Sequence, residues 1–123
     1  MCPVNATAPA EAFAEELFRG GDPPDAIAAM SDELALGALR AAARTGRAVP
    51  GAVAVTGWDD TDAAAPAGLT TVWQSLRDQG ERCARIVLGL PPPAGPQDPP
   101  GWRVIERAST RPARPEPVYT GGR

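Results

Sequence analysis

Two short polar clusters carry most of the chemistry this sequence offers: Ser31-Asp32, and Asp59-Asp60 directly after Trp58. Carboxylates held on rigid elements can each accept two hydrogen bonds from vicinal hydroxyls. An aromatic such as Trp58 or Trp73 can pack against the apolar face of a sugar ring. The expectation is a pocket for a polyol or another small polar ligand. Plainer readings stand beside it. A Ser-Asp pair ahead of a helix serves as a cap, and Asp59-Asp60-Thr61-Asp62 can be a solvated loop. Tryptophans also fill cores, as Trp58 and Trp73 would. Clustered carboxylates can hold magnesium or calcium, but the spacing fits no calcium-loop pattern, so no metal site is assigned. A hydrolytic pairing of Asp59 with Asp32 would need a raised pKa on one of them, and nothing in the sequence points to that.

Composition removes other chemistries. The chain has 123 residues, enough for one modest domain, with 15 acidic and 12 basic residues and a formal net charge of −3. That balance argues against a dedicated nucleic-acid or polybasic membrane-binding chain. Every basic residue is arginine and histidine is absent. A phosphate-loop lysine, a Schiff-base lysine, a histidine-activated nucleophile and an imidazole zinc site are therefore excluded. The chain therefore reads first as a binder, without a cofactor, and only second as an enzyme. Cys2 and Cys83 form no redox or ligand pair, and Cys83 is expected as a buried free thiol. No apolar run approaches a membrane span, and the amino end has no secretory pattern, so a cytoplasmic location is expected.

The elements that must position the clusters follow from periodicity. Residues 1–7 are expected as a flexible start. A helix is predicted from about Ala8 to Arg19, capped by Thr7, with Ala10, Phe13, Ala14, Leu17 and Phe18 on one face. Ala26 to Met30 reads as a buried strand, and Ser31 or Asp32 caps a helix ending near Thr45. Leu36, Leu39 and Ala43 mark one side of that helix, and Ala35, Ala38 and Ala42 another. Two apolar sides imply a sheet on one and some further cover on the other. Ala52 to Gly57 reads as a second buried strand, so strand, helix and strand form a parallel βαβ unit. Both polar clusters then fall at the carboxyl edge of the sheet, where open parallel sheets bind ligands. Leu69 to Val72 reads as a third strand. Ser75 to Leu88 reads as a third helix with Leu76, Gly80, Cys83 and Val87 on one face and Asp78–Arg82 and Glu81–Arg85 as ion pairs. Trp102 to Glu106 is a last strand. Nine of the fifteen prolines lie between Pro91 and Pro117. Residues 91–101 therefore read as a proline-rich loop and 111–123 as a disordered tail.

Four stretches, in order and spacing, resemble the LacI/GalR family of bacterial transcription regulators. They are Pro24 to Arg40, with its Met30-Ser31-Asp32; Val49 to Asp60, with Gly57-Trp58-Asp59-Asp60; Leu69-Thr70-Thr71-Val72-Trp73-Gln74; and Arg107-Ala108-Ser109-Thr110, which matches the family's closing strand. The resemblance implies an α/β fold: a partial three-layer, parallel-sheet lobe of a type I periplasmic-binding-protein-like sensor, the carboxyl-terminal one, over residues 8–110. It implies a sugar-like effector held by Ser31 and Asp59, with Asp32, Asp60 and Trp58 as further pocket or cap residues. It also implies a homodimer using Leu36, Leu39, Ala43 and Asp62. DNA contact in the family runs through a helix-turn-helix. The expectation here is a truncated sensor without that segment or the amino-terminal lobe. The alternatives are a fragment of a transport-type sugar-binding protein and a truncated product without independent activity.

Overall fold

A computed structural model describes residues 5–91 and 101–110; the expected proline-rich loop falls largely, and the expected tail wholly, outside them. The element order is α1 (Thr7–Arg19), β1 (Ala26–Ala28), α2 (Asp32–Arg44), β2 (Ala54–Thr56), β3 (Thr71–Trp73), α3 (Leu76–Val87) and β4 (Arg103–Ile105). β1 and β2 run parallel, with Ala26, Ile27 and Ala28 opposite Ala54, Val55 and Thr56. The βαβ unit therefore forms as its periodicity requires. A parallel bridge from Thr56 to Thr70 joins this pair to β3. β4 then pairs with β3 in the antiparallel sense, so a parallel pair and an antiparallel pair are linked through that bridge.

The core is small and alanine-rich. Ala14 and Phe18 of α1, Ala35, Ala38, Ala41 and Ala42 of α2, Val53, Val55, Ala64 and Leu69 form one buried cluster. Small side chains let α1 lie close on α2. A Cβ on Gly37 would come within 2.6 Å of both the Ala10 side chain and the Thr7 carbonyl. The Ala35–Ala38–Ala42 stripe is buried as expected. The further cover on α2 is α1, packed at Gly37, whereas Leu36 and Leu39 remain half-buried and Ala43 exposed.

The two helix starts cap one another. α1 begins at Thr7, one residue before the expected start, and its N-cap Ala6 offers no side chain. Thr7 is thus the first helical residue and not the cap. Its N–H and hydroxyl both donate to the Glu33 carboxylate in the first turn of α2. Those bonds hold the Glu33 carboxyl below its ordinary value of 4.5, with a smaller contribution from Arg40. Ser31 caps α2 by accepting from the Leu34 N–H at 3.3 Å and donates to Asn5 Oδ1 at 2.5 Å. Asn5 and Thr7, placed by the sequence in a flexible start, are thereby docked onto α2.

Three expectations fail on burial. β1 has its ends exposed, and Met30 is 85% exposed; with one strand neighbour among the described residues, the run is not enclosed. α3 forms from Ser75's cap onward but buries no residue. Cys83 is consequently exposed and not buried. The Glu81–Arg85 pair forms at 2.9 Å. Apart from burial, residues 107–110 hold no strand, and the last strand among the described residues is β4, inside the predicted Trp102–Glu106.

Candidate functional site

Both polar clusters emerge side by side. Parallel pairing brings the ends of β1 and β2 to one edge, and the Asp32 N–H donates to the Trp58 carbonyl at 2.8 Å. The elbow after β2 is held from below. Gly57 N–H donates to Thr70 and Asp59 N–H to Val72, each at 2.9 Å. Gly57 is required there, because a Cβ would collide with Asp32 Oδ1.

Asp32 is fully buried. Its Oδ1 accepts from the Thr71 hydroxyl at 2.5 Å, and its Oδ2 from the Thr61 N–H and hydroxyl at 2.7 and 3.1 Å. Expected as a further pocket or cap residue, it is an internal strut tying α2 to the Asp59–Thr61 loop and to β3. A carboxylate enclosed in this way is not available to a substrate, which also removes the Asp59–Asp32 hydrolytic pairing.

Asp59 and Asp60 both occupy positive φ, at 110° and 50°. Such backbone costs about 1–3 kcal/mol per residue and persists only where surrounding bonds impose it. Here they do. Asp60 forms an ion pair with Arg107 at 2.8 Å, and Arg107 also donates to the Leu69 carbonyl at 2.9 Å. Asp59 Oδ1 accepts from Gln74 Nε2 at 2.7 Å, and Gln74 Oε1 accepts from Gln79 at 3.0 Å. Asp59 is half-buried, and its Oδ2 has no hydrogen-bond partner among the described residues. Ser31 is nearly buried, at 7% exposure, with its proton committed to Asn5. One lone pair of its hydroxyl remains for a further donor. Trp58 is half-buried and meets Trp102 edge to face, centroids 5.4 Å apart.

Gln74 and Arg107 stand within the family-like motifs, but their types and spacing assign them no role. Trp102 reads from the sequence only as a strand residue. Antiparallel pairing of β3 with β4 is what brings Trp102 and Arg107 back to the elbow. A polar glutamine closing an apolar strand was the one signal available for Gln74.

Elsewhere, Leu39, Ala43, Arg47, Val49, Ala67, Gly68, Ala108 and Ser109 line a concavity of about 270 Å³. No elbow residue lines it, but Leu39 and Ala43 of the expected dimer face do. Asp62, the remaining exposed member of that set, lies in the loop after the second elbow. Among the described residues there is no group of three or more metal-ligating side chains, and no helix long and apolar enough to cross a membrane.

Comparison with known proteins gives consistent matches. A family model described as the periplasmic binding protein-like domain matches residues 2–110. The uncharacterized HTH-type transcriptional regulator YvdE of Bacillus subtilis (strain 168) is 40% identical over 86 residues, 68% of this chain and 27% of the relative. A crystal structure of an uncharacterized protein from Actinobacillus succinogenes superimposes with a TM-score of 0.73 at 28% identity, covering 88% of this chain and 41% of that one. A LacI family transcriptional regulator from Lactobacillus casei, with bound sucrose, gives a TM-score of 0.70 at 26% identity, covering 85% and 41%. The chain thus spans about a quarter of the curated relative's length.

Proposed function

This chain belongs to the periplasmic binding protein-like domain family, and from that membership we propose that it is the sugar-sensing lobe of a LacI-type transcription regulator. It is a binding module and not an enzyme, it works in the cytoplasm, and it acts as a homodimer. The observation that carries the reading is the Asp32-to-Trp58 backbone bond, which sets the Ser31 and Asp59 elbows against each other at the sheet edge. Asp59, held by Gln74 and with one carboxylate oxygen unpartnered among the described residues, accepts from ligand hydroxyls. Ser31 contributes one acceptor. Trp58 and Asp60 shape and fix the elbow, and Asp32 supports it from inside. Sucrose bound to the Lactobacillus casei regulator supports a sugar as the ligand class. In the complete regulator, such a ligand favours one arrangement of lobes and so alters how the dimer meets DNA. The half-exposed Leu36–Leu39–Ala43 stripe and the concavity beside it form the dimer face.

Titration of the amide-resolved NMR spectrum with sucrose and with glucose tests the site. The expected result is movement of the Ser31, Asp59 and Gln74 amides, abolished by Asp59→Asn with the remaining spectrum intact. Sugar-induced movement that persists unchanged in the variant overturns the assignment.

A further inference from the structure

Trp102 is a tryptophan 58% open to solvent, and two independent observations place it at the Asp59 elbow. Its ring meets Trp58, the residue immediately before Asp59, at 5.4 Å and 76°. The strand register gives the second. Trp73 pairs with Arg103 across β3 and β4, and the Arg103 guanidinium lies 4.5 Å from the Trp73 ring centroid, so those two side chains share one face. Side chains alternate along a strand. Extending the register by one step sets Gln74 opposite Trp102 on the other face. Gln74 is the residue whose amide reaches Asp59.

An exposed indole at the elbow that carries a carboxylate oxygen without a hydrogen-bond partner among the described residues offers the two parts that a pyranose requires. One part takes ring hydroxyls, and the other takes the apolar C–H face. The edge contact from Trp58 fixes the Trp102 ring while leaving surface free for a ligand. Building on the sugar-sensing reading above, we propose that Trp102 is the stacking platform of the site. The ligand class it selects is a cyclic sugar with a continuous C–H face, in preference to an acyclic polyol. An acyclic polyol satisfies Asp59 equally well but presents no flat apolar surface.

The test uses the whole chain and three probes: glucose, sucrose and the acyclic polyol sorbitol, with affinities read from NMR titration and tryptophan emission. Trp102→Ala is expected to weaken glucose or sucrose binding about tenfold, the worth of one aromatic contact. It should also abolish the emission change. Trp102→Phe restores most of the affinity. Arg103→Ala, on the opposite face of the same ribbon, leaves it unchanged. Sorbitol is expected to bind weakly and equally to the parent chain and to Trp102→Ala. Equal sugar affinity in the parent chain and Trp102→Ala overturns the platform. So does equal weakening by Trp102→Ala and Arg103→Ala, which would indicate a distorted ribbon. If Asp59→Asn abolishes binding while Trp102→Ala preserves it, the platform alone falls. If neither sugar binds the parent chain, the platform and the sugar-sensing reading fall together.

Discussion

α2 and α3 are nearly the same length, 13 and 12 residues, and both are amphipathic, yet they end in opposite situations. α2 lies between α1 and the β1–β2 pair and buries six residues, whereas α3 buries none. Leu76, Ile86, Val87 and Leu88 of α3 and its cap are between 66% and 84% exposed. Amphipathicity supplies a face, but only a matching surface buries it. On α2 that match comes from alanines and Gly37, which bring backbones close enough for dispersion contacts to accumulate. At its amino end α3 is tied to the elbow by hydrogen bonds, through Gln79 and Gln74 to Asp59.

That contrast can be broken at its strongest point. Asp32→Ala removes the acceptor for three donors in a fully buried position. The expected loss is about 3–5 kcal/mol of unfolding free energy, read from urea denaturation. A loss below about 1 kcal/mol would mean that Thr61 and Thr71 find other partners. A smaller effect belongs to the Thr7–Glu33 clamp between α1 and α2. Glu33 titrates below 4.5 in the folded chain. Its contribution is therefore fully present above 4.5 and disappears as pH falls through the lower folded value. The melting temperature of the parent chain should decline over that acid window, and that of Glu33→Gln should decline less. Identical slopes would remove ionisation from the clamp. The smallest effect is expected on α3: Ile86→Ser should change stability by no more than about 0.5 kcal/mol. A larger loss would show that α3 has a packed partner, and the contrast with α2 would close.

Much of this architecture was legible because it is local. The Ser31 cap, the Ala35–Ala38–Ala42 stripe and the strand–helix–strand order are written in neighbouring residues. So was the placing of both elbows on one edge, which follows from parallel pairing alone. What escaped depends on distant segments. Thr7 resembles a cap, but Glu33, 26 residues away, takes that role. Asp32 reads as a cap or pocket carboxylate until Thr61 and Thr71 enclose it. Ala26–Met30 looks like a buried strand, because a continuous apolar run does not reveal how many neighbours it will have. The stripe through Cys83 likewise has no covering surface among the described residues.

Ser109 fills the wedge between β2 and the residues leading into β3. Its carbonyl accepts from the Val55 N–H and its N–H donates to Gly68. Its hydroxyl accepts from the Thr70 N–H and donates to the Val55 carbonyl. Both polar groups of the peptide on either side of the central strand's Val55 thus depend on a residue synthesised 54 positions later. A nascent chain emerging from the ribosome can assemble α1, β1 and α2 early. It keeps an open seam along its middle strand until this serine has cleared the exit tunnel.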